Sequence, residues 1–355
     1  MKKHTVLVLA ATLCLSLFSG CSNGSNSQSS AAGSSAASSA AGSAASSAAS
    51  SAAGSSAAAG SSAIRIAGLK GPTSMGLVKL MSDNEEGKSK NKYEFTMAGA
   101  ADEITPKLIK GELDMAAVPA NLASVLYSKT EGKVEVLAVN TLGVTYIVEN
   151  GNAINSVADL KGKTVYGTGK GSIPEYALRF VLKKNGIDPD KDLKLEWKSE
   201  PTEVVALMKQ QKDVVAMLPQ PYVTVAAGSV DNFREALSVT EEWSKQDKES
   251  KFITGVLIAR KEFVEKNKDA VKAFMEEYQA SIKYANDSVD DAAKLCEKYD
   301  IVKEAVAKKA LPKCNITFIA GDEMKTALSG FYKALFDLAP ESVGGALPNE
   351  DIYYK

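Results

Sequence analysis

Residues 22–63 run for forty-two positions almost entirely in Ser, Ala and Gly, with no charge and no aromatic ring. Such a run cannot bury enough apolar surface to offset the entropy of ordering it. Its serines also compete for the backbone hydrogen bonds that its alanines could place in a helix. It is expected to be a tether, with ends on the order of 35–40 Å apart as a flexible coil. Folding is thereby confined to residues 64–355, a body of 292 residues. That exceeds what one hydrophobic core usually serves, so two lobes are expected.

What precedes the tether reads as an address. Lys2 and Lys3 are followed by an apolar run over residues 6–18, too short to span a bilayer, and then by Ser19, Gly20 and Cys21. LFSGC resembles a bacterial lipoprotein processing box, although Phe18 stands where leucine is usual. On that resemblance residues 1–20 are a signal peptide and Cys21 becomes the lipidated first residue. The alternative is an ordinary secretory signal with a chance cysteine. One acyl chain holds a protein to a membrane only marginally and several hold it stably. The expected location is extracytoplasmic, on the outer face of the cytoplasmic membrane, with the lipid as the membrane contact.

Composition removes several function classes. Without residues 1–20 the chain carries 40 basic against 43 acidic residues, a formal charge of −3. That balance, without a basic block, argues against a nucleic-acid partner. The one histidine is His4, so the body is expected to support neither Ser-His-Asp nor Cys-His catalysis, nor a histidine-ligated metal. No catalytic residue, metal or cofactor is expected, and the chain is read as a monomer that is not an enzyme. Cys296 and Cys314 could pair outside the cytoplasm or stand as small buried apolar residues.

From Ile64 the hydrophobic pattern alternates between strand and helix periods. IRIAGL, YEFTMA and DMAAVPA read as strands. GPTSMGLVKLM reads as a turn entering a helix capped by Thr73 or Ser74, and ITPKLIKGEL and NLASVLYSKT read as helices. VEVLAVNTLGVTYIVE is a long β-rich run broken at Gly143. A second set follows: strands in ADLKGKTVYG, LKLEWKS and DVVAMLP, helices in IPEYALRFVLKKNG, TEVVALMKQQ and QPYVTVAAG. This order predicts open parallel sheets with helices on both faces. DMAAVPAN and DVVAMLPQP rhyme, which suggests two similarly built lobes. After FITGVLIA the chain is expected to be helical to its end. There Val271, Phe274, Met275, Tyr278 and Ile282, and then Met324, Leu328, Phe331, Leu335 and Leu338, recur at helical spacing as core.

The stretch VYGTGKGSIPEYALRF has the look of a phosphate loop but fails on spacing: one residue, not four, separates Gly167 from Gly169, and Lys170 is followed by Gly171. The physics beneath that motif survives. Glycines admit positive φ and close approach, Ser172 can cap the helix, and Pro174 suits its first turn. The helix start could then face a carboxylate, a sulfonate or another acceptor-rich group.

In this order of elements, behind a lipobox-like start, the body resembles the substrate-binding proteins of ABC importers, in the nitrate, sulfonate and taurine branch. The resemblance rests on the opening strand-turn-helix, AAVPAN, TLGVTYIVE, SVADLKGKTVYGTGKGS, QPYVTVA and the helical tail. It implies an α/β, two-lobed periplasmic-binding-protein-like fold (type II), each lobe a sheet flanked by helices, with a helical C-terminal region. Residues 64–145 and 255–355 would form lobe one, and residues 146–254 lobe two, with hinges near 142–146 and 254–256. Ligands of open α/β sheets sit outside the carboxyl ends of the strands. The candidate ligand contacts are therefore Thr73, Ser74 and Asn121 from lobe one, and Thr168, Gly169, Lys170, Gly171, Ser172, Gln220 and Tyr222 from lobe two. Lys70 could pair with an anion, Glu175 should satisfy its own helix, and Trp197 and Trp243 should pack. The implied partners are a small solute (sulfonate, carboxylate or heterocycle) and an importer permease. The rivals are a sensory or adhesive lipoprotein on the same fold and, less favoured without histidine, an enzyme like the pyrimidine synthases of thiamine biosynthesis.

Overall fold

IRIAGL and YEFTMA become β1 (Ile64–Leu69) and β2 (Tyr93–Ala98), paired in parallel over their full lengths. They are described by a computed structural model covering residues 63–248 and 250–355. The signal segment, Cys21 and the Ser/Ala/Gly run up to residue 62 lie outside the described residues. The turn after β1 holds two short helices, α1 (Pro72–Met75) and α2 (Val78–Glu85). After β2 come α3 (Ala101–Lys110), β3 (Met115–Pro119) and α4 (Ala120–Lys129). The long β-rich run divides at Gly143 into β4 (Val134–Leu142) and β5 (Thr145–Glu149).

The second βα set follows as β6 (Thr164–Gly167), α5 (Ile173–Lys184), β7 (Lys194–Trp197), α6 (Pro201–Gln210), β8 (Val215–Pro219) and α7 (Tyr222–Ala227). Then come β9 (Arg234–Ser238), α8 (Val239–Gln246) and β10 (Ile253–Arg260). The tail holds α9 (Lys261–Lys266), α10 (Lys268–Asp287), α11 (Val289–Lys298), α12 (Glu304–Ala310), β11 (Ile316–Ile319) and α13 (Gly321–Leu338).

Two sheets result. One has six strands in the order β11-β4-β10-β3-β1-β2, the other five in the order β7-β6-β8-β5-β9. Both are mixed, which corrects the expectation of parallel sheets. In the first, β10 runs antiparallel to β3 and β4, and β11 antiparallel to β4. In the second, β5 runs antiparallel to β8 and β9. Hydrophobic period reports burial, not direction, so it could not see this. β11 also interrupts a tail expected to be all helix, and β9 and α8 occupy a stretch given no element.

The register places the functional end of each sheet. Pro119 of β3 lies opposite Gly255, and Leu142 of β4 opposite Ile253, so β1 to β4 all finish at one edge. Only Gly143 and Val144 separate Leu142 from Thr145, which pairs with Pro219 at the carboxyl end of β8. The carboxyl ends of both sheets therefore meet at this two-residue passage. It is fastened from each side: Gln220 N–H donates to Val144 O at 2.9 Å, and Asn315 Nδ2 donates to Gly143 O at 2.5 Å.

Large apolar side chains lock the halves together beside that passage. Trp243 of α8 is fully buried and stacks on Phe180 of α5 at 3.8 Å between ring centroids, with Phe252 and Phe331 of α13 around it. Its indole N–H donates to Ser250 Oγ at 2.9 Å, as a buried tryptophan requires. Both helical stripes of the tail are core: Val271, Phe274, Tyr278 and Ile282 are buried, as are Met324, Leu328, Phe331 and Leu335. Cys296 and Cys314 are buried free thiols, which removes the disulfide alternative. Among the described residues no helix is long and apolar enough to cross a membrane.

Candidate functional site

The facing carboxyl ends gather buried polar side chains, an unusual concentration for a region that packs like core. Thr73, Ser74, Asn140 and Thr141 come from the six-stranded sheet and its first helix, and Thr145, Thr168 and Gln220 from the five-stranded sheet. Asn140 was not singled out from the sequence. Its amide donates to Thr73 O at 3.3 Å, and its carbonyl accepts from Thr141 Oγ1 at 3.0 Å. The Tyr278 phenol lies against it, and burial raises the pKa of that phenol well above the ordinary tyrosine value. The available signal was the pair Asn140-Thr141 following the apolar run from Val136 to Val139.

Ser74 Oγ and Gln220 Nε2 are buried without a hydrogen-bond partner in the protein. Buried polar atoms are nearly always paired, so each such atom calls for an explanation. Gln220 is 2% exposed, precedes a cis bond to Pro221, and accepts from Thr224 Oγ1 at 2.8 Å through its other amide atom. Thr73 and Ser74 were expected from the sequence to cap the helix and do not: α1 starts at Pro72 with Gly71 at its N-cap, so both lie inside its single turn.

The loop after β6 is built differently from its sequence reading. Gly169 and Gly171 take positive φ of 80° and 72°. Ser172 does occupy the N-cap position, yet its hydroxyl donates to Gly169 O at 2.6 Å and makes no cap bond. Capping passes to Glu175, whose carboxylate accepts Gly171 N–H at 2.6 Å and pairs with Arg179 at 2.8 Å. The helix start expected to receive an anion therefore already holds a carboxylate. Thr168 is buried here, while Lys170 is exposed.

Two further candidates serve packing. Asn121 donates to Ser342 O at 3.2 Å and docks the segment after α13. Tyr222 opens α7 half-buried against the apolar cluster around Val223. Lys70 is taken by Asp300, whose carboxyl that ammonium holds below the usual range. Trp197 is half-buried at the end of β7 against Gly167. Gly255, in the segment expected to hinge, sits inside β10, paired on both edges beside register shifts, and a Cβ there would meet Thr73 Cγ2 at 2.4 Å and Asn140 Oδ1 at 2.6 Å. Its glycine serves close packing.

A hollow of about 570 Å³ lies away from these loops, lined by Leu108, Lys133 and Arg260 among others. Arg260 closes the far end of β10, opposite Val134.

Residues 134–292 match the family model described as NMT1/THI5 like. The matched stretch runs from β4 into α11 and includes the passage between the sheets and the loops after β6 and β8. A candidate binding protein of Brucella abortus (strain 2308) is 27% identical over 220 residues, 60% of this chain and 65% of that protein. The alignment thus spans just under two thirds of the relative's length. A crystal structure of an ABC transporter from Parabacteroides distasonis superposes with a TM-score of 0.70 at 22% identity, covering 82% of this chain and 99% of that one. The periplasmic aliphatic sulphonate binding protein of Escherichia coli gives 0.66 at 18% identity, covering 82% and 92%. The fold is the α/β periplasmic-binding-protein fold, two sheets flanked by helices.

Proposed function

We propose that the chain is an extracytoplasmic solute-binding lipoprotein that captures a small polar or anionic solute between two lobes and delivers it to an ABC importer. One observation carries the reading: the carboxyl ends of both sheets meet at Gly143 and Val144, and each contributes buried polar side chains there. Lobe one comprises residues 64–145 and 255–355, lobe two residues 146–254, matching the change of sheet membership after β4 and before β10. Thr73, Ser74, Thr168, Gln220 and the 169–172 loop form the contact set, joined by Asn140 as the residue that positions Thr73. Solute bridging both lobes favours the closed form by its difference in affinity for the two states. Cys21 carries the lipid, and the protein acts as a carrier, not an enzyme.

Mass spectrometry of small molecules released from the purified protein tests this. The expected result is one solute, recovered unchanged and rebound saturably, with closure visible in small-angle scattering. Conversion of that solute on incubation would make the chain an enzyme. Failure of co-purification with any permease would leave the sensory reading in its place.

A further inference from the structure

We infer that the solute is uncharged and held by neutral hydrogen-bonding groups from both sheets; the inference rests on the solute-binding reading above. Apart from Glu175, whose carboxylate is paired with Arg179, the buried polar residues at the facing ends are hydroxyls and amides: Thr73, Ser74, Asn140, Thr141, Thr145, Thr168 and Gln220. Ser74 Oγ and Gln220 Nε2, one from each sheet, have no protein partner. The Ser74 hydroxyl can donate or accept and Gln220 Nε2 donates, while Gln220 Oε1 already accepts from Thr224, so a neutral solute with a carbonyl or hydroxyl oxygen fits the free pair.

The cations are engaged elsewhere. The sequence holds four arginines, and each pairs with a carboxylate. Arg65 and Arg260 share Asp114 at 2.7 and 2.8 Å, Arg179 bridges Glu175 and Asp190 at 2.8 and 3.0 Å, and Arg234 meets Glu149. Arg65 and Arg260 stand at the edge of the six-stranded sheet away from the facing ends. Arg234, opposite Glu149, stands at the corresponding far edge of the other sheet. Among the described residues no lysine or arginine is buried. Near the facing ends Lys70 pairs with Asp300, Lys313 pairs with Glu235, Lys198 lies over the Tyr166 ring at 5.7 Å, and Lys170 is exposed. The start of α5 is closed by the Glu175 carboxylate, which would repel a second anion. Taking an anion out of water costs several kcal/mol unless a cation or charge-assisted bonds replace its hydration. The facing ends supply neutral groups in place of that cation.

Thermal denaturation of the full chain tests the inference, with uracil, nicotinamide and myo-inositol as uncharged probes and ethanesulfonate, nitrate and acetate as anions. Mass spectrometry of solute released from the same preparation covers ligands outside this set. The expected result is a rise in Tm with an uncharged probe, or a released solute that is neutral at pH 7. The rise should withstand added NaCl and be lost in Ser74→Ala and Gln220→Ala. If Ser74→Ala does not fold, Gln220→Ala on the other sheet carries the same readout. A saturable, salt-weakened rise with an anionic probe, or an anionic released solute, overturns the inference and leaves solute binding intact. Protein that carries no solute and responds to no probe overturns solute binding itself.

Discussion

The Asn140 side-chain amide donates to the main-chain carbonyl of Thr73 at 3.3 Å, tying the end of β4 to the helix that follows β1. The same side chain accepts from Thr141, so its removal leaves two buried groups unpaired. Asn140→Ala is expected to cost about 1–3 kcal/mol and to weaken solute binding through the displaced Thr73. Urea unfolding should show a lower midpoint at unchanged slope. An unchanged midpoint would show that the bond contributes nothing.

Gly255→Ala should be destabilising for a different reason. The added methyl would meet Thr73 Cγ2 at 2.4 Å and Asn140 Oδ1 at 2.6 Å, while β10 itself is held by pairing on both edges. Overpacking of this kind typically costs about 1–3 kcal/mol. A Tm equal to wild type would show that α1 yields freely.

Asp114 accepts from Arg65 through backbone and side chain and from Arg260 at 2.8 Å, with its own side chain buried. Burial pushes its carboxyl up, but the arginine hydrogen bonds outweigh that and hold it below the ordinary aspartate range. The folded carboxyl thus titrates below the unfolded one, so its stabilisation is present above pH about 4 and lost as pH falls through the folded value. Asp114→Asn should flatten that acid limb of stability. Its cost at pH 7 should stay below the roughly 3–5 kcal/mol of a fully buried pair, because the arginines are partly exposed. Urea midpoints between pH 3 and pH 7, for both proteins, provide the check.

Glu135, near the start of β4, moves the other way. Burial pushes its carboxyl up to about 7; Lys261 opposes that, and Glu265 and Asp351 add to it. A folded pKa above the unfolded one gives stabilisation that is complete below about pH 4 and lost as pH rises to about 7. Glu135→Gln should therefore gain stability over wild type at pH 8 and show no gain at pH 4. Scanning calorimetry at the two pH values would decide, and equal differences at both would refute the shift.

Cys296 and Cys314 are both fully buried, and burial pushes the Cys296 thiol up to about 12. The thiolate is the reactive form. Both should resist a maleimide in the native protein and label completely in guanidinium, as read by peptide mass spectrometry. An intact disulfide in the exported protein would contradict this.

The sequence disclosed the strands whose apolar pattern is strong: IRIAGL and YEFTMA match β1 and β2 residue for residue. β9 escaped because every residue of REALS is only partly buried on a sheet edge, leaving no alternation to read. β11 is four residues beside a single partner strand. Of the proposed site, Thr168 and Gln220 were legible because each follows a strand directly, and Thr73 and Ser74 because they lie in the first turn of helix after β1. Asn140 was hidden near the end of β4, whose apolar run from Val136 to Val139 reads as core. The bond of Asn121 to Ser342 was not legible, because that partner lies 221 positions away and leaves no local trace.

Ile64 begins β1 and Leu69 ends it at the edge where the two sheets face each other. Whatever chain precedes Ile64 therefore joins the body one strand's length from that edge, on the opposite rim. An attachment at the rear would leave the facing edge clear, so the anchoring proposed at Cys21 and the admission of a guest would not compete for the same surface.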